Sequence, residues 1–542
     1  MISICFAIFF SIVSARDIMH VFTSKGIYET SEDLWFKGMV IDTDSRLMSN
    51  MSHTVYIELV NSNDSAVLQE KFPIINGKVD GHIYVGDDWM PGEYRLYAHA
   101  RNTVGINDTI LFPSRILIVN DLPEVPLFLT KNKPTVIPYN DIAPFNGELK
   151  VTITLDSTEY NTRSLVKGRL SVTDNDGNPV QAEVVLSVYD CLYRYKPAES
   201  GLSTRLYADA VVGTEKQMKP FLSDGVSSGV MKKTGKHQSL TESQYINVYD
   251  VDAAPGKFNI VETEPDGRFE VSYNIGQLLG RELIMKPLAS EKNYMLEFDR
   301  PFETLGQLRA KTNDYVLPQV QTRDAHSDHD DIPDSNYHSR MNIHLDEVVV
   351  QGKSRYYTHR EKLYGYLDSI HTIKSGVWVC HCGDQTGNGY INDYLNGYTH
   401  HPQGYLMPEK KYAPKIGESY EAIKYTGPTQ QDYVVDIQIV TYEGERLTQE
   451  QLLKEAGLFA DQGYARPYDF QYWDPEEWYP GMEDLRNTLL FTPLTQTNLN
   501  GELEMLFHTS DITSSFIIRG FAISQDGRFA DFGDVVFEVK NQ

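Results

Sequence analysis

Two cysteines separated by one histidine are the most chemically suggestive residues of this 542-residue sequence. Together with His400 and His401, Cys380 and Cys382 could offer sulfur and imidazole ligands to a zinc ion. Structural zinc sites usually separate paired cysteines by two to four residues, because a single intervening residue makes it awkward for both sulfurs to reach one tetrahedral ion. We therefore treat these four residues as candidates only and assign no metal site. Unreactive thiols are the alternative.

A glycine-rich stretch after the cysteines partly follows the pattern of a calcium-binding loop. Over residues 384–391, side-chain oxygens fall at loop positions one, three and five, and a glycine falls at position six. Position twelve is Leu395, where a bidentate glutamate is expected, so the coordination would be incomplete. A plain glycine turn is the simpler interpretation. His326, His329 and His338 lie in a polar segment and would bind a metal only loosely.

Motifs of two enzyme classes are missing from the sequence. There is no His-Glu-x-x-His of a zinc protease and no glycine loop of the phosphate-binding kind. Distant carboxylates can still converge in a folded chain, so a metal-dependent enzyme or a glycosidase-like pair of acids stays open. We nevertheless expect a non-enzymatic protein that needs no cofactor.

Charge and composition limit the ligands that the surface can bind and indicate the fold class. The formal net charge of −26 is spread along the chain, so most of the surface would repel a phosphate backbone, and nucleic-acid binding is not expected. Tyrosine, with 34 residues, dominates the aromatic side chains, and flat amphipathic rings suit a half-buried pleated sheet. A chain of this length suits about three or four domains.

The amino-terminal residues 1–15 are predicted to be a signal peptide. They form an uncharged apolar run that ends in small residues, with Val13 and Ala15 placed for signal-peptidase cleavage. Cys5 lies inside this run without the surroundings of a lipoprotein cysteine, so lipid anchoring is not supported. No later stretch reaches the ~20 apolar residues that span a bilayer. We therefore expect an exported protein without a disulfide framework, since three cysteines remain after cleavage.

Period-two alternation of apolar and polar residues predicts a β-sandwich over residues 16–122. A Pro91-Gly92 turn separates strands, and a proline-containing linker follows the sandwich. Val55, Ile57 and Leu59 are expected to share one face, and Tyr94, Leu96, Ala98 and Ala100 another.

A second sandwich is predicted over residues 148–300, with a polar insertion at 193–255 that we expect to be a surface excursion. Apolar residues alternate over 166–172 and again over 182–188, and Asp-Asn-Asp-Gly-Asn-Pro lies between them at 174–179. This pattern is typical of a hairpin with a defined register.

The second half of the sequence is less regular. Residues 322–341 carry almost no apolar side chains and are predicted to form a flexible linker. Residues 342–482 are predicted to be an irregular α/β segment, in which capping patterns at Thr358 and Thr448 begin two short helices. Strand patterns return at 483–542. An Asn-Gly or Asp-Gly turn recurs before alternating strands, which indicates repeated modules, at Gly77, Gly177, Gly267, Gly501 and Gly527.

The first predicted sandwich opens with residues 23–37, Thr-Ser-Lys-Gly-Ile-Tyr-Glu-Thr-Ser-Glu-Asp-Leu-Trp-Phe-Lys, and closes with residues 91–98. These two segments resemble the opening and the close of the MG2 domain of the α2-macroglobulin family. Residues 156–190 and 486–521 look like further macroglobulin repeats. The resemblance covers roughly half of the chain and implies an all-β protein of several immunoglobulin-like, macroglobulin-type sandwiches in series with a few short helices. It implies little about activity.

Residues 382–385, Cys-Gly-Asp-Gln, differ by one residue from the Cys-Gly-Glu-Gln thioester of macroglobulins that trap proteases. In that family the cysteine sulfur is acylated by the glutamine side chain and the bond is later captured by a nucleophile. The family's thioester lies in a large helical domain after the module that residues 486–521 resemble, whereas here the cysteine comes before it. We therefore expect no thioester. A protease-trapping relative remains the alternative, with 322–341 or 193–255 as its bait.

Residues 345–352, Leu-Asp-Glu-Val-Val-Val-Gln-Gly, are similar to the segment just before the plug of TonB-dependent outer-membrane receptors. Too few residues follow for the many strands of a receptor barrel, so we do not expect one. The combination resembles large macroglobulin-like envelope proteins of bacteria that rely on such receptors. By this resemblance we expect a protein-interaction scaffold in the periplasm or at the outer membrane, whose partner is an envelope protein such as a TonB-dependent transporter.

Overall fold

The computed structural model describes residues 17–42, 45–101, 113–119, 148–195, 222–234, 240–250, 258–278, 282–288, 294–312, 378–379, 385–386, 419–425, 434–441, 448–465, 470 and 483–541. Most of these residues lie in β-strands, with a few short helices, which confirms the predicted all-β class. The chain forms two compact units: Met1–Gly225 with Arg300–Asp346 and Ala465–Gln542, and Val226–Asp299 with Glu347–Tyr464.

The first part of the described chain is a series of strands. In order they are β1 (Asp17–Thr23), β2 (Ile27–Glu29), β3 (Asp33–Asp42), β4 (Thr54–Val60), β5 (Ala66–Pro73), β6 (Lys78–Tyr84), β7 (Gly92–Ala100), β8 (Ser114–Val119), β9 (Leu149–Leu155), β10 (Glu159–Asn161), β11 (Leu165–Asp174) and β12 (Ala182–Asp190). A 3-10 turn, Cys191–Tyr193, follows β12.

The middle of the chain mixes strands with short helices. These are β13 (Ser227–Lys233), β14 (Tyr245–Asp250), β15 (Asn259–Glu262), β16 (Arg268–Val271), α1 (Tyr273–Leu278), β17 (Glu282–Pro287), β18 (Tyr294–Phe298), α2 (Pro301–Thr312), β19 (Trp378–Val379), β20 (Gln385–Thr386), β21 (Ser419–Tyr425), β22 (Val434–Thr441), α3 (Gln449–Glu455) and β23 (Phe459–Gln462). The chain ends with β24 (Thr488–Phe491), β25 (Thr495–Gln496), β26 (Glu502–His508), β27 (Ser515–Ser524) and β28 (Phe529–Lys540).

Strands β1 to β8 form the first sandwich, with sheets in the orders β1-β3-β6 and β2-β8-β7-β4-β5. Because apolar and polar residues alternate along the strands, each sheet has an apolar face, and the apolar faces of the two sheets pack together in a buried core. The two predicted sets of side chains lie in this core and are confirmed: Val55, Ile57 and Leu59 of β4, and Tyr94, Leu96, Ala98 and Ala100 of β7.

The second sandwich is assembled from two distant parts of the chain. Its sheets have the orders β9-β11-β26 and β10-β28-β27-β12-β24, and β25 also pairs with β12. Strand β11 therefore lies between β9 and β26, and β12 lies between β24 and β27. We predicted 483–542 as a separate segment, whereas its strands complete the sandwich that begins at Leu149. Alternation shows which face of a strand is buried, but it does not identify the neighbouring strand.

A third sandwich forms in the second unit, with sheets in the orders β16-β13-β18 and β15-β14-β17-β23. Strands β13 and β14 lie within residues 193–255, which we predicted to be a surface excursion. The prediction failed because this stretch is polar overall and contributes only a few apolar residues to the core of the third sandwich. These are Val226, Met231, Leu240, Ile246 and Val248.

Most of the predicted glycine turns carry the chain from one sheet of a sandwich to the other. The five glycines have φ between 70° at Gly501 and 91° at Gly267, a region that glycine adopts at little cost. Only the turn at Gly527 joins two paired strands, β27 and β28. The hairpin predicted over 166–188 is therefore wrong, since β11 and β12 face one core from opposite sheets. Hairpins and sheet-to-sheet turns share the same alternation, so the pattern cannot separate them.

Candidate functional site

The predicted metal-ligand candidates lie outside the part of the chain that the structure describes. This holds for Cys380, Cys382, His400 and His401. Among the described residues, no group of three or more His, Cys, Asp or Glu side chains could hold a metal ion. Within those same ranges, no helix is long and apolar enough to cross a membrane. Also outside are the predicted signal peptide, the helix at Thr358, the linker at 322–341 and the receptor-like segment at 345–352.

We expected no Gly-x-Ser-x-Gly motif of a hydrolase nucleophile elbow, which was wrong, because residues 225–229 read Gly-Val-Ser-Ser-Gly. Such an elbow places its serine on a sharp turn between a strand and a helix. Here Ser227 begins strand β13, is 2% exposed and donates its hydroxyl hydrogen bond to Oδ2 of Asp461 in β23. Ser227 is therefore a hydrogen-bond anchor inside the third sandwich.

A buried lysine joins the first two sandwiches. Lys25 lies between β1 and β2 and is 4% exposed. Its Nζ donates to Oε2 of Glu32 over 2.7 Å and to Oδ1 of Asn487 over 2.7 Å. Glu32 directly precedes β3 of the first sandwich, whereas Asn487 directly precedes β24 of the second. One ammonium group thus bonds an acid of its own sandwich and an amide of the next.

Two tyrosine rings enclose this lysine. Its Nζ lies 5.1 Å from the ring centroid of Tyr28 and 4.4 Å from that of Tyr193, distances at which an aromatic face attracts a cation. Tyr28 is fully buried, and burial raises the pKa of its hydroxyl group. Burial also raises the pKa of the Glu32 carboxyl group, although the neighbouring Lys25 opposes that shift. The charged pair is thus largely removed from water.

Backbone contacts hold these groups in place. The N–H of Gly26 donates to the carbonyl oxygen of Tyr193 over 3.1 Å, and a Cβ at position 26 would lie 2.7 Å from Cβ of Tyr195. The loop passes this close to the 3-10 turn because Gly26 has no side chain. In the second sandwich, the N–H of Asp190 donates to the carbonyl oxygen of Asn487 over 2.8 Å, which fixes the start of β24.

An apolar cluster extends the junction between the two sandwiches. Strands β3 and β12 are largely buried on both faces, which explains their nearly continuous apolar sequences. Phe521 makes edge-on contacts across the junction, with its ring centroid 5.8 Å from that of Phe22 and 4.9 Å from that of His20. The first two sandwiches are therefore packed as one body. The buried members are Met39, Ile41, Val185, Phe491, Phe521, Ile523 and Phe529.

The outer face of β4 binds the segment that precedes the third sandwich in the sequence. The hydroxyl groups of Thr54 and Tyr56 donate to the carbonyl oxygens of Asp224 and Ser223, over 2.8 and 3.0 Å. The backbone N–H of His53 donates to the Asp224 carboxylate over 2.7 Å, and Nδ1 of its ring lies 2.6 Å from the second carboxylate oxygen. These bonds fix the segment at both the backbone and the side-chain level.

A buried ion pair fixes helix α2 to the same face of β4. Nη1 of Arg309 donates to Oε2 of Glu58 over 2.8 Å, and the two side chains are 7% and 1% exposed. Nε2 of Gln69 donates to the other carboxylate oxygen over 2.8 Å. The Arg309 guanidinium also lies 3.3 Å from Oδ1 of Asp64 and 5.7 Å from the ring centroid of Tyr97. Both buried charges therefore have partners.

The third sandwich exposes an apolar patch on the outer face of its four-stranded sheet. Tyr245, Phe258, Ile260 and Leu288 are 49%, 55%, 52% and 52% exposed. The register of β14, β15 and β17, with the alternation of side chains, puts all four on one face. On the same face Ile284 is buried beneath helix α3. The patch is thus the uncovered continuation of a face that a helix partly covers.

The residues of the lysine junction lie in segments that carry the family resemblance. Lys25, Tyr28 and Glu32 fall within residues 23–37, and Asn487 falls in the similar carboxyl-terminal segment. Their meeting is not visible in the sequence, because 462 residues separate Lys25 from Asn487. The pairing of Arg309 with Glu58 was also missed. A charged residue inside the apolar strand β4 is the one signal that pointed to it.

No family model matches the sequence, and no curated protein matches it. The chain is similar to Escherichia coli alpha-2-macroglobulin activated by porcine elastase, at 9% identity and a TM-score of 0.25 over 97% of this chain and 44% of that chain. Its similarity to Salmonella alpha-2-macroglobulin reacted with methylamine has 9% identity and a TM-score of 0.26, over 98% of this chain and 40% of that chain. Its similarity to the Escherichia coli adhesin FdeC has 10% identity and a TM-score of 0.15, over 50% of this chain and 58% of that chain. The chain spans less than half of these macroglobulins, and such low scores carry no argument about function.

Proposed function

We propose that this chain is a non-enzymatic, macroglobulin-like scaffold of the bacterial cell envelope that binds another protein. The resemblance of residues 23–37 and 91–98 to the MG2 domain supports this class, and so does the sandwich architecture of the described chain. The signal-like residues 1–15 support export. Residues 345–352 support an accessory role beside a TonB-dependent outer-membrane transporter. No cofactor enters the proposal.

The observation that carries the proposal is the exposed apolar patch of the third sandwich. Single apolar side chains are common on protein surfaces, but four on one sheet face, two of them aromatic, are typical of a protein-binding site. Tyr245 and Phe258 would supply the large anchors that dominate binding energy once they are buried against a partner. Glu262, on the same face of β15, gives the patch a polar margin.

The position of β15 indicates how a partner would use this face. β15 is the terminal strand of its sheet in the described part of the chain. An extended segment of the partner can therefore add as a further strand beside β15 and place its own apolar side chains next to Ile260. Backbone hydrogen bonds would then give affinity, and the patch would select the side chains.

The test begins with affinity capture from bacterial envelopes by the purified full-length protein, followed by reconstitution with the purified partner. We expect enrichment of a TonB-dependent transporter. We also expect Ile260→Glu to weaken reconstituted binding by about tenfold or more, because a charge inside an apolar contact must lose its water. Leu506→Glu is the matched control, since Leu506 is 61% exposed on β26 of the second sandwich. That variant should bind like the wild type.

Two results would count against the proposal. If Ile260→Glu binds like the wild type, the patch is not part of the interface. If the captured partner is not an envelope protein, the proposed accessory role is wrong. A protease trap would show itself differently. In a trap with a thioester, methylamine would add to the acyl carbon of Gln385 and release the thiol of Cys382, which changes the mass of that peptide; a plain scaffold does not react.

A further inference from the structure

Lys25, Glu32 and Asn487 meet in a geometry that permits a reaction between them. Nζ of Lys25 is 2.7 Å from Oδ1 of Asn487, and because a C=O bond is ~1.23 Å long, the amide carbon Cγ lies within about 3.9 Å of Nζ. That is near the ~3–3.5 Å separation of atoms poised to react. A lysine amine attacks carbonyl carbons once it has lost its proton.

Glu32 is placed to take that proton. Its Oε2 lies 2.7 Å from Nζ, and its Oε1 accepts the backbone N–H of Glu29 over 2.5 Å, which orients the carboxyl group. Burial raises the pKa of Glu32, so this group holds a proton more readily than it would in water. Moving the proton from Lys25 to Glu32 replaces a buried ammonium group and a partly buried carboxylate by two neutral groups, which reduces the cost of their burial.

The surroundings of the three groups favour the same reaction. The rings of Tyr28 and Tyr193 enclose Nζ, so little water competes for the amide carbon. The hydroxyl group of Thr488 donates to Oδ1 of Asn487 over 3.3 Å. Negative charge develops on that oxygen when an amine adds to the amide, so the hydroxyl group would stabilise the tetrahedral intermediate.

We propose that Lys25 and Asn487 form an intramolecular isopeptide bond with no external reagent. The neutral Nζ attacks Cγ of Asn487. The bond from Cγ to Nδ2 breaks as Nδ2 receives a proton from Glu32 and leaves as ammonia, and Glu32 takes back the proton that Nζ loses. One C–N bond forms and one breaks, nothing is oxidised or reduced, and one molecule of ammonia is released.

The bond would add a covalent link to the packed junction of the first two sandwiches. It would join side chains that are 462 residues apart in the sequence, and unlike a disulfide it would resist reducing agents. This inference is independent of the binding partner proposed above, because it concerns only groups within the first unit.

The test is peptide mapping of the full-length protein, kept folded at neutral pH for a week and then denatured and digested with trypsin. Trypsin does not cut after an acylated lysine. We therefore expect one branched peptide made of residues 17–37 and 487–519, lighter by one ammonia than the summed masses of these two stretches. Without the link, trypsin also cuts after Lys25 and gives three peptides, 17–25, 26–37 and 487–519. The intact chain should also migrate faster on a reducing denaturing gel, because the link closes a large loop.

Three variants sharpen the experiment. Lys25→Arg keeps the positive charge beside Glu32 but cannot form the bond, and Glu32→Gln keeps the shape but cannot take the proton. Both should yield separate peptides. Lys78→Arg is the matched control, because Lys78 pairs with Glu183 of the second sandwich over 2.9 Å. That variant should keep the branched peptide.

Other outcomes would overturn the proposal. Separate peptides of full mass from the wild-type chain would leave Lys25 as a hydrogen-bond anchor only. Loss of ammonia confined to peptide 487–519 would indicate a succinimide at Asn487 and no link to Lys25. A branched peptide formed in full yield by Glu32→Gln would keep the bond but refute the assigned role of Glu32.

Discussion

The buried pair of Arg309 and Glu58 gives a quantitative test of how helix α2 is held on the first sandwich. In Arg309→Met the apolar part of the side chain remains, while Glu58, whose side chain is 1% exposed, loses its cation and keeps only the hydrogen bond from Gln69. An uncompensated buried charge of this kind costs about 3–5 kcal/mol. The variant should therefore release α2 from β4 or force Glu58 to take up a proton.

A double-mutant cycle separates the ion pair from ordinary packing. Glu58→Gln removes the charge that needs Arg309, so the combined variant should cost about 2 kcal/mol less than the sum of the single variants. Arg300→Met is the control on the same helix region. The side chains of Arg300 and its partner Glu303 are 74% and 61% exposed, and this variant should change stability by about 0.5 kcal/mol or less.

Local hydrogen exchange is the suitable assay, because a chain of several domains does not unfold in one step. Exchange rates of the backbone amides in β4 and α2, measured by mass spectrometry, report the free energy of opening this region. Additive effects of Arg309→Met and Glu58→Gln would refute the coupling. So would a cost of Arg309→Met no larger than that of Arg300→Met.

Three further outcomes follow from the structure. Gly501→Ala should destabilise the second sandwich by clearly more than Gly177→Ala, as measured by denaturant unfolding. Both glycines have a positive φ, but only at Gly501 would a Cβ meet a backbone oxygen, 2.4 Å away. Phe521→Ala should cost about 3–5 kcal/mol and speed hydrogen exchange in β1 and β3, since a buried ring leaves the junction. Burial raises the pKa of Cys191 from 9.0 to about 11, so alkylation at pH 8 should be about 100-fold slower in the folded protein than in urea.

Local sequence patterns predicted the features that depend only on neighbouring residues. The alternation in β4 and β7 identified the side chains of the first core. The capping box at Thr448, in which its hydroxyl oxygen accepts the N–H of Gln451, begins helix α3 as predicted, and Gly457 with a φ of 69° follows the end of that helix. These signals are short-range because each involves residues within about four positions of one another.

The partners of distant strands could not be predicted in the same way. Each side of the second sandwich joins strands from 149–190 to strands from 488–540, and the same alternation would suit many other pairings. The lysine junction has the same difficulty. Lys25 and Glu32 are close in sequence, but nothing in that segment indicates that Asn487 supplies the third member.

The assembly of the second sandwich from two distant segments sets an order of events during synthesis. Strands β11 and β12 leave the ribosome long before β24 to β28, so for that time they lack the neighbours that cover their hydrogen-bonding edges. All strands of the third sandwich are synthesised before β24 to β28, so this sandwich can fold while β11 and β12 still lack their neighbours. A chain truncated before residue 484 would thus lose β24 to β28, and with them the strands that pair with β10, β11 and β12 of the second sandwich.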